Sequence, residues 1–195
     1  MIRHPLLVLT LLLIGAPSAY GAIIIDRAII TFTADGSSRE DVLVVNPDPD
    51  PLYLEVEVLE VKNPGTEEET RTVVSNPEEL GLIASPRRTM IPSDGQRTIR
   101  LVALKPPGEQ EQVYRVNMRP TAGDVQSDTM AIKILLGYQL LIFVEPETIN
   151  IDIDIKREGN KLKLENRGNV NVRVHDLVQC KVYPMPPEDC DTING

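Results

Sequence analysis

Apolar and polar positions alternate with a period of two along most of the chain, and windows with a helical apolar repeat are missing, so the pattern predicts an all-β protein. Residues 22–33, AIIIDRAIITFT, read as a first strand, ADGSS as a turn, and residues 39–46, REDVLVVN, as a second strand. The three prolines of PDPDP, residues 47–51, cannot join a central ladder and predict a loop. Residues 52–63 set Leu52, Leu54, Val56 and Val58 against Tyr53, Glu55 and Glu57, a strand with one wet face. PGTEEETR reads as a charged hairpin tip, and SNPEELG as one helical turn capped by Asn76 or Ser75. Residues 82–92 form an extended segment broken at Pro86, residues 93–95 a turn, and residues 96–105 and 111–120 two more strands. Seven short strands by residue 146 suggest an immunoglobulin-like sandwich.

After Pro146 the texture changes. Residues 148–156 alternate strictly, EGN at 158–160 turns, KLKLEN at 161–166 pairs back, RGN turns again, and residues 170–180 read as a third strand. Residues 147–195 therefore predict a second, partial β-domain, since 49 residues are too few for another full sandwich.

One segment stands out, TMAIKILLGYQLLIFVEP from Thr129 to Pro146. Met130, Ile132, Ile134, Leu136, Tyr138, Leu140 and Ile142 form one row, and Leu135, Leu141 and Phe143 make the other largely apolar as well. Two readings stay open. The strand is covered on both faces by its own domain, or part of one row is offered to another chain.

The first 21 residues have the build of a cleaved secretory signal, with Arg3 at the start, an apolar run from Leu6 to Ile14, and Ala19 and Gly21 ahead of a cut before Ala22. Nine apolar residues fall well short of the roughly 20 that span a bilayer, so stable membrane insertion is not expected. The whole chain of 195 residues carries a net charge of −9; loss of Arg3 takes it to −10, a poor surface for nucleic acid. Export places Cys180 and Cys190 in an oxidising compartment, where a short disulfide loop is the default.

Candidate chemistry is sparse. His175 is the only histidine after the signal, too few ligands for zinc with the two cysteines and no base for a hydrolase. Signatures of a nucleophile elbow, a phosphate loop or a zinc helix are absent. Glu55 and Glu57 lie two apart on one strand face, the spacing of a solvated row as well as of an acid-base pair. Neither an enzymatic activity nor a cofactor is expected. Arg27, set between aliphatic residues in IIIDRAII, either blocks an edge or presents its fork to a carboxylate.

The ordered set IIIDRAIITFT, IASPRRTMIPSDGQRTIRLV, EQVYRVNMRP and a long apolar strand ending FVEP resembles the PapD-like periplasmic chaperones of the chaperone-usher pilus pathway. The resemblance covers most of residues 22–146, with LENRGNVNVRV a weaker match beyond. It implies two immunoglobulin-like domains, a periplasmic location, pilus subunits and an outer-membrane usher as partners, and a self-capping dimer when no client is bound. It further implies that Met130, Ile132, Ile134 and Leu136 fill a groove in the pilus protein, and that Arg27 grips that protein's terminal carboxylate. The family's second cleft cation, usually a lysine five residues before the closing proline, is Leu141 here, and Val144 and Glu145 replace the usual aromatic-arginine ending. Those departures imply a non-classical branch. The rival reading is a secreted immunoglobulin-like structural or adhesive subunit; it calls for a free donor segment at the mature N-terminus, where this chain instead begins a domain strand.

Overall fold

The computed structural model describes residues 23–73, 76, 79, 81–121, 135–159, 161–175, 178–180 and 191–192. Every regular element in them is a strand: β1 (Ile24–Ile25), β2 (Ile29–Phe32), β3 (Arg39–Val45), β4 (Leu52–Lys62), β5 (Thr70–Val73), β6 (Leu82–Ser85) and β7 (Arg88–Ile91). There follow β8 (Gln96–Ala103), β9 (Gln112–Thr121), β10 (Tyr138–Val144), β11 (Ile153–Glu158), β12 (Lys161–Asn166), β13 (Val178–Gln179) and β14 (Asp191–Thr192). The signal segment, Met130, Ile132, Ile134, Cys190 and most of the SNPEELG turn lie outside the described residues. Of that turn, the Glu79 N–H donates to the Asn76 carbonyl at 3.1 Å.

Two sheets face each other. One runs β1-β3-β8-β6; the other runs β2-β10-β9-β4-β5, with β7 also paired to β4. The period-two rows explain the packing, because alternate side chains of a strand point to opposite faces. Val42, Val44, Ile99 and Leu101 from the first sheet meet Leu54, Val56, Val116, Met118, Leu140 and Ile142 from the second, all fully buried in one core. Each such side chain contributes on the order of 1.5–3 kcal/mol relative to exposure.

Two local devices set the corners. Pro86 has no N–H to give a ladder, so the extended segment leaves the first sheet after β6 and enters the second as β7. In the PDPDP loop, the buried Asn46 amide donates to the carbonyls of Asp50 and Pro92 at 2.8 and 3.0 Å and its oxygen accepts from the Asp48 N–H. Those bonds tie the loop to the turn before β8.

The sandwich differs from the sequence expectation at its first strand. Residues 22–33 do not form one strand but two, because the chain crosses between sheets at Asp26–Ala28: β1 pairs antiparallel with β3 and β2 pairs parallel with β10. Asp26 stabilises the crossing, its backbone N–H donating to the Leu43 carbonyl and its carboxylate accepting the Leu43 N–H. With that split and the short β5 and β7, the sandwich holds ten strands among the described residues rather than seven.

Beyond Pro146 the expected β11–β12 hairpin forms, with Glu158 inside β11 and opposite Lys161. Residues 170–175 do not form the expected third strand. Among the described residues of 170–180 only Val178–Gln179 is extended into a ladder, with β14, whereas the segment before it binds the sandwich. Asn169 and Asn171 supply the reason: their amide groups bond to Glu109 and Glu111 of the sandwich instead of to a neighbouring strand.

Candidate functional site

β10 is the strand that closes the second sheet, and its two edges are treated differently. Toward β9 it is paired along its whole length, Tyr138 to Val144. Toward β2 it is paired only from Leu141 to Val144. Among the described residues no strand covers that edge at Tyr138–Leu140, and unpaired edge groups are a template for another chain. Along this edge Tyr138 is exposed, Gln139 is polar and bonds to Asn117, and Leu140 is buried in the core; Leu136, two residues before β10, is 57% exposed. Ile29, at the head of β2, is 52% exposed.

The register fixes what lies on the outer face. Ile29, Leu141, Arg115 and Leu59 stand in one row across β2, β10, β9 and β4. The row beyond it toward the second β-domain holds Phe143, Val113 and Val61. Leu141, Arg115, Phe143, Val113 and Val61 floor a cleft of about 780 Å³, whose other wall is the segment from Asn166 to Val172. The walls are held together by hydrogen bonds: the Glu111 N–H donates to the Asn169 carbonyl, the Asn169 amide to the Glu109 and Thr148 carbonyls, and the Asn171 amide to the Glu111 carboxylate.

Arg115 is the cation in the cleft lining, and its Nε is buried without a hydrogen-bond partner. The nearby Glu69 carboxylate is held below its usual range, first by the Gly65 N–H and then by Arg71, with Arg115 a lesser influence. Glu69 is thus already engaged, at 2.9 Å from Gly65 N and 2.8 Å from Arg71 Nε.

The other sequence-derived candidates separate. Arg27 lies in the crossing between β1 and β2, 48% exposed, with Asp26 and Glu40 each at 3.2 Å. The residue of that stretch in register with Leu141 is Ile29, not Arg27, and Arg27 does not line the cleft. Leu136 is exposed two residues before β10; Met130, Ile132 and Ile134 fall outside the described residues. Glu55 and Glu57 do not form a free acid-base pair: Arg88 holds Glu55 at 2.8 Å, and Arg119 reaches Glu57 at 3.3 Å. His175 is exposed and outside any strand. Cys180 is disulfide-bonded. Among the described residues no cluster of potential ligands could hold a metal ion.

Sequence reasoning passed over the crossing at Asp26–Ala28, because an unbroken apolar run gives no sign of where a strand changes sheets. Arg115 lies on β9 in the row of Leu141 and Leu59. The alternation Val113, Arg115, Asn117 marks the residue as outward-facing, but only the folded second segment turns that face into a cleft.

The chain belongs to the family of pili and flagellar-assembly chaperones, matching the model of the PapD N-terminal domain over residues 22–150. It is 31% identical to a CS1 fimbrial protein of Escherichia coli over 163 residues, which is 80% of this chain and 68% of that protein. It is 30% identical to a CFA/I fimbrial protein of Escherichia coli over 137 residues, 66% of this chain and 57% of that protein. In the solved chaperone–tip adhesin complex of CFA/I fimbriae biogenesis it matches one chain with a TM-score of 0.66 and 27% identity, covering 88% of this chain and 78% of that one. The family is one of chaperones rather than of enzymes.

Proposed function

We propose that this pilus assembly chaperone acts in the periplasm, after cleavage before Ala22, by lending fimbrial subunits the strand that runs from residue 129 into β10. The single observation that carries the reading is the edge of β10, paired by β2 only from Leu141 onward and flanked by exposed Leu136. A client strand laid along that edge gains backbone hydrogen bonds, and alternate side chains of the chaperone enter its core. Met130, Ile132, Ile134 and Leu136 are the row that would enter. The solved relative in complex with a tip adhesin supports a client of this kind. The loaded client then passes to an outer-membrane usher; without a client, a second copy covers the same edge.

Arg27 is proposed to meet the client's terminal carboxylate where the free edge ends, since Ala28 accepts the Leu141 N–H at 2.8 Å and closes the edge there. The test is co-expression with a fimbrial subunit in the periplasm and recovery of the complex. Ile132→Asp with Ile134→Asp is expected to abolish recovery, because each buried carboxylate loses its hydration without a partner, at several kcal/mol. Arg27→Ala is expected to reduce it. Undiminished recovery with the double aspartate variant would remove strand lending from the account.

A further inference from the structure

Gln139 lies on the part of β10 that β2 leaves uncovered, and both ends of its side-chain amide are held. Its Nε2 donates to Asn117 Oδ1 at 2.7 Å, and its Oε1 accepts from Arg71 Nη1 at 3.3 Å. The row continues inward across the sheet: Asn117 Nδ2 donates to Glu57 Oε2 at 3.3 Å, and Arg119 holds the same oxygen at 3.3 Å. Gln139, Asn117 and Glu57 stand directly across from one another on β10, β9 and β4. At the other end Arg71 reaches over from β5, braced by Glu69 at 2.6 Å, and Glu69 accepts the Gly65 N–H at 2.9 Å. The charged PGTEEETR hairpin is thus an arm that grips β10 at its open edge.

The direction of this row is forced. A carboxylate only accepts and a guanidinium only donates, so Glu57 at one end and Arg71 at the other fix which way both amides face. An amide nitrogen carries two hydrogens and the row uses one; the second N–H of Gln139 has no partner among the described residues, on a side chain that is exposed. A free glutamine turns its amide to water when a neighbour cannot bond it. One pinned at both ends does not, and its rotamer freedom is already spent before any partner arrives.

We propose that Gln139 is a specificity-determining residue of the lent strand: its pinned amide reads the client residue that lies directly across the free edge and selects a side chain that accepts a hydrogen bond there. Residues opposite each other on neighbouring strands share a face and touch, so one client position meets this amide. An aliphatic residue in that place covers the N–H without bonding it, and a lysine brings its charge toward Arg71. Arg71 is a positioning residue, acting through Gln139. The proposal rests on the strand-lending reading for the presence of a client strand at this edge.

The experiment co-expresses the full chain, in limiting amount, with two tagged versions of one fimbrial subunit that differ at a single residue, threonine in one and valine in the other. The ratio of the two in the recovered complex is read by mass spectrometry. The two side chains have nearly the same shape, so the ratio reports the hydroxyl. With the pair moved through the last few residues of the subunit, the threonine form is expected to be favoured about 3- to 10-fold at one position. At the positions on either side, whose side chains point to the other face, the two forms are expected at parity. Lysine at the selected position is expected to be depleted against threonine. Gln139→Met is expected to bring the selected position to parity, and Arg71→Met to lower its ratio. A row that only stiffened the sheet would act otherwise: its loss would lower the thermal midpoint of the free chain and weaken both client forms alike, with the ratio as in the parent. No selective position in the parent, or an unchanged ratio in both variants, overturns the role of Gln139 and leaves strand lending standing. Undiminished recovery with the Ile132→Asp, Ile134→Asp chain overturns strand lending, and the reading of a client residue by Gln139 falls with it.

Discussion

Tyr114 shows what one side chain can contribute when it is enclosed from both directions. It is buried in the core, its hydroxyl donates to Gln112 Oε1 at 2.7 Å, and Gly81 leaves the room that the hydroxyl occupies. Burial, with a smaller contribution from Glu60, pushes its pKa up to about 12. The folded chain therefore holds this proton over a window in which the unfolded chain, titrating near 10, has released it. Stability is fully present below about pH 10 and falls as pH rises toward 12, by up to roughly 2–3 kcal/mol. Denaturant melts between pH 9 and 12 check this. Tyr114→Phe should cost about 1 kcal/mol at neutral pH through the lost hydrogen bond and should flatten the alkaline decline. An alkaline decline as steep in the variant as in the parent would place its cause elsewhere.

At the level of strands, cross-strand pairs rather than isolated charges organise the wet faces. Asp41 and Arg100 stand directly opposite each other on β3 and β8 and meet through two bonds of 2.8 and 3.0 Å. That hydrogen bonding, and then the charge of Arg100, holds the Asp41 carboxyl below its usual range. The contribution is present above the unfolded carboxyl value and disappears as pH falls through the lower, folded one. Both groups are open to solvent, so Arg100→Ala should lower the thermal midpoint only slightly at neutral pH, by less in high salt, and not at all in acid. Thermal melts across pH 2–7 at two salt concentrations measure it. Such alternation is also why much of the fold was legible: the rows of β3, β4, β8 and β9 assign their own inner faces, and Pro86 marks its own corner. The crossing at Asp26–Ala28 was not legible, since it is decided by the Asp26–Leu43 bonds of a distant strand. For the same reason the arginine chosen from the sequence, Arg27, lies apart from the cleft. Residues 170–175 alternate as a strand should, yet asparagine amides carry them onto another partner.

For the molecule as a whole, the cleft exists only while the segment after β12 stays on the sandwich, and that depends on a small set of polar bonds. Gly168 lets residues 167–169 lie against residues 150–152 of the same segment, which sets Asn169 facing the sandwich: a side chain there would run into the Asn150 carbonyl and, at 2.9 Å, the Asp152 nitrogen. Asn169 then holds three backbone groups, donating to Glu109 and Thr148 and accepting the Asn150 N–H at 2.8 Å. Hydrogen bonds of this type contribute about 0.5–1.5 kcal/mol each. The junction is therefore a low-energy latch on an otherwise independent core, and it should open without unfolding the sandwich. Its reporter is the Glu111 N–H, which donates to the Asn169 carbonyl, a backbone group that mutation of the side chain leaves in place. Asn169→Ala should speed hydrogen exchange at Glu111 several-fold while exchange at Ile99, Leu101 and Val116, in the core strands, stays as slow as before. Gly168→Val should do the same by sterics alone. If Glu111 stays equally protected in both variants, the second segment is held by something other than this latch. If the core amides accelerate together with Glu111, the two parts of the chain fold as one unit and the cleft has no independent freedom to open.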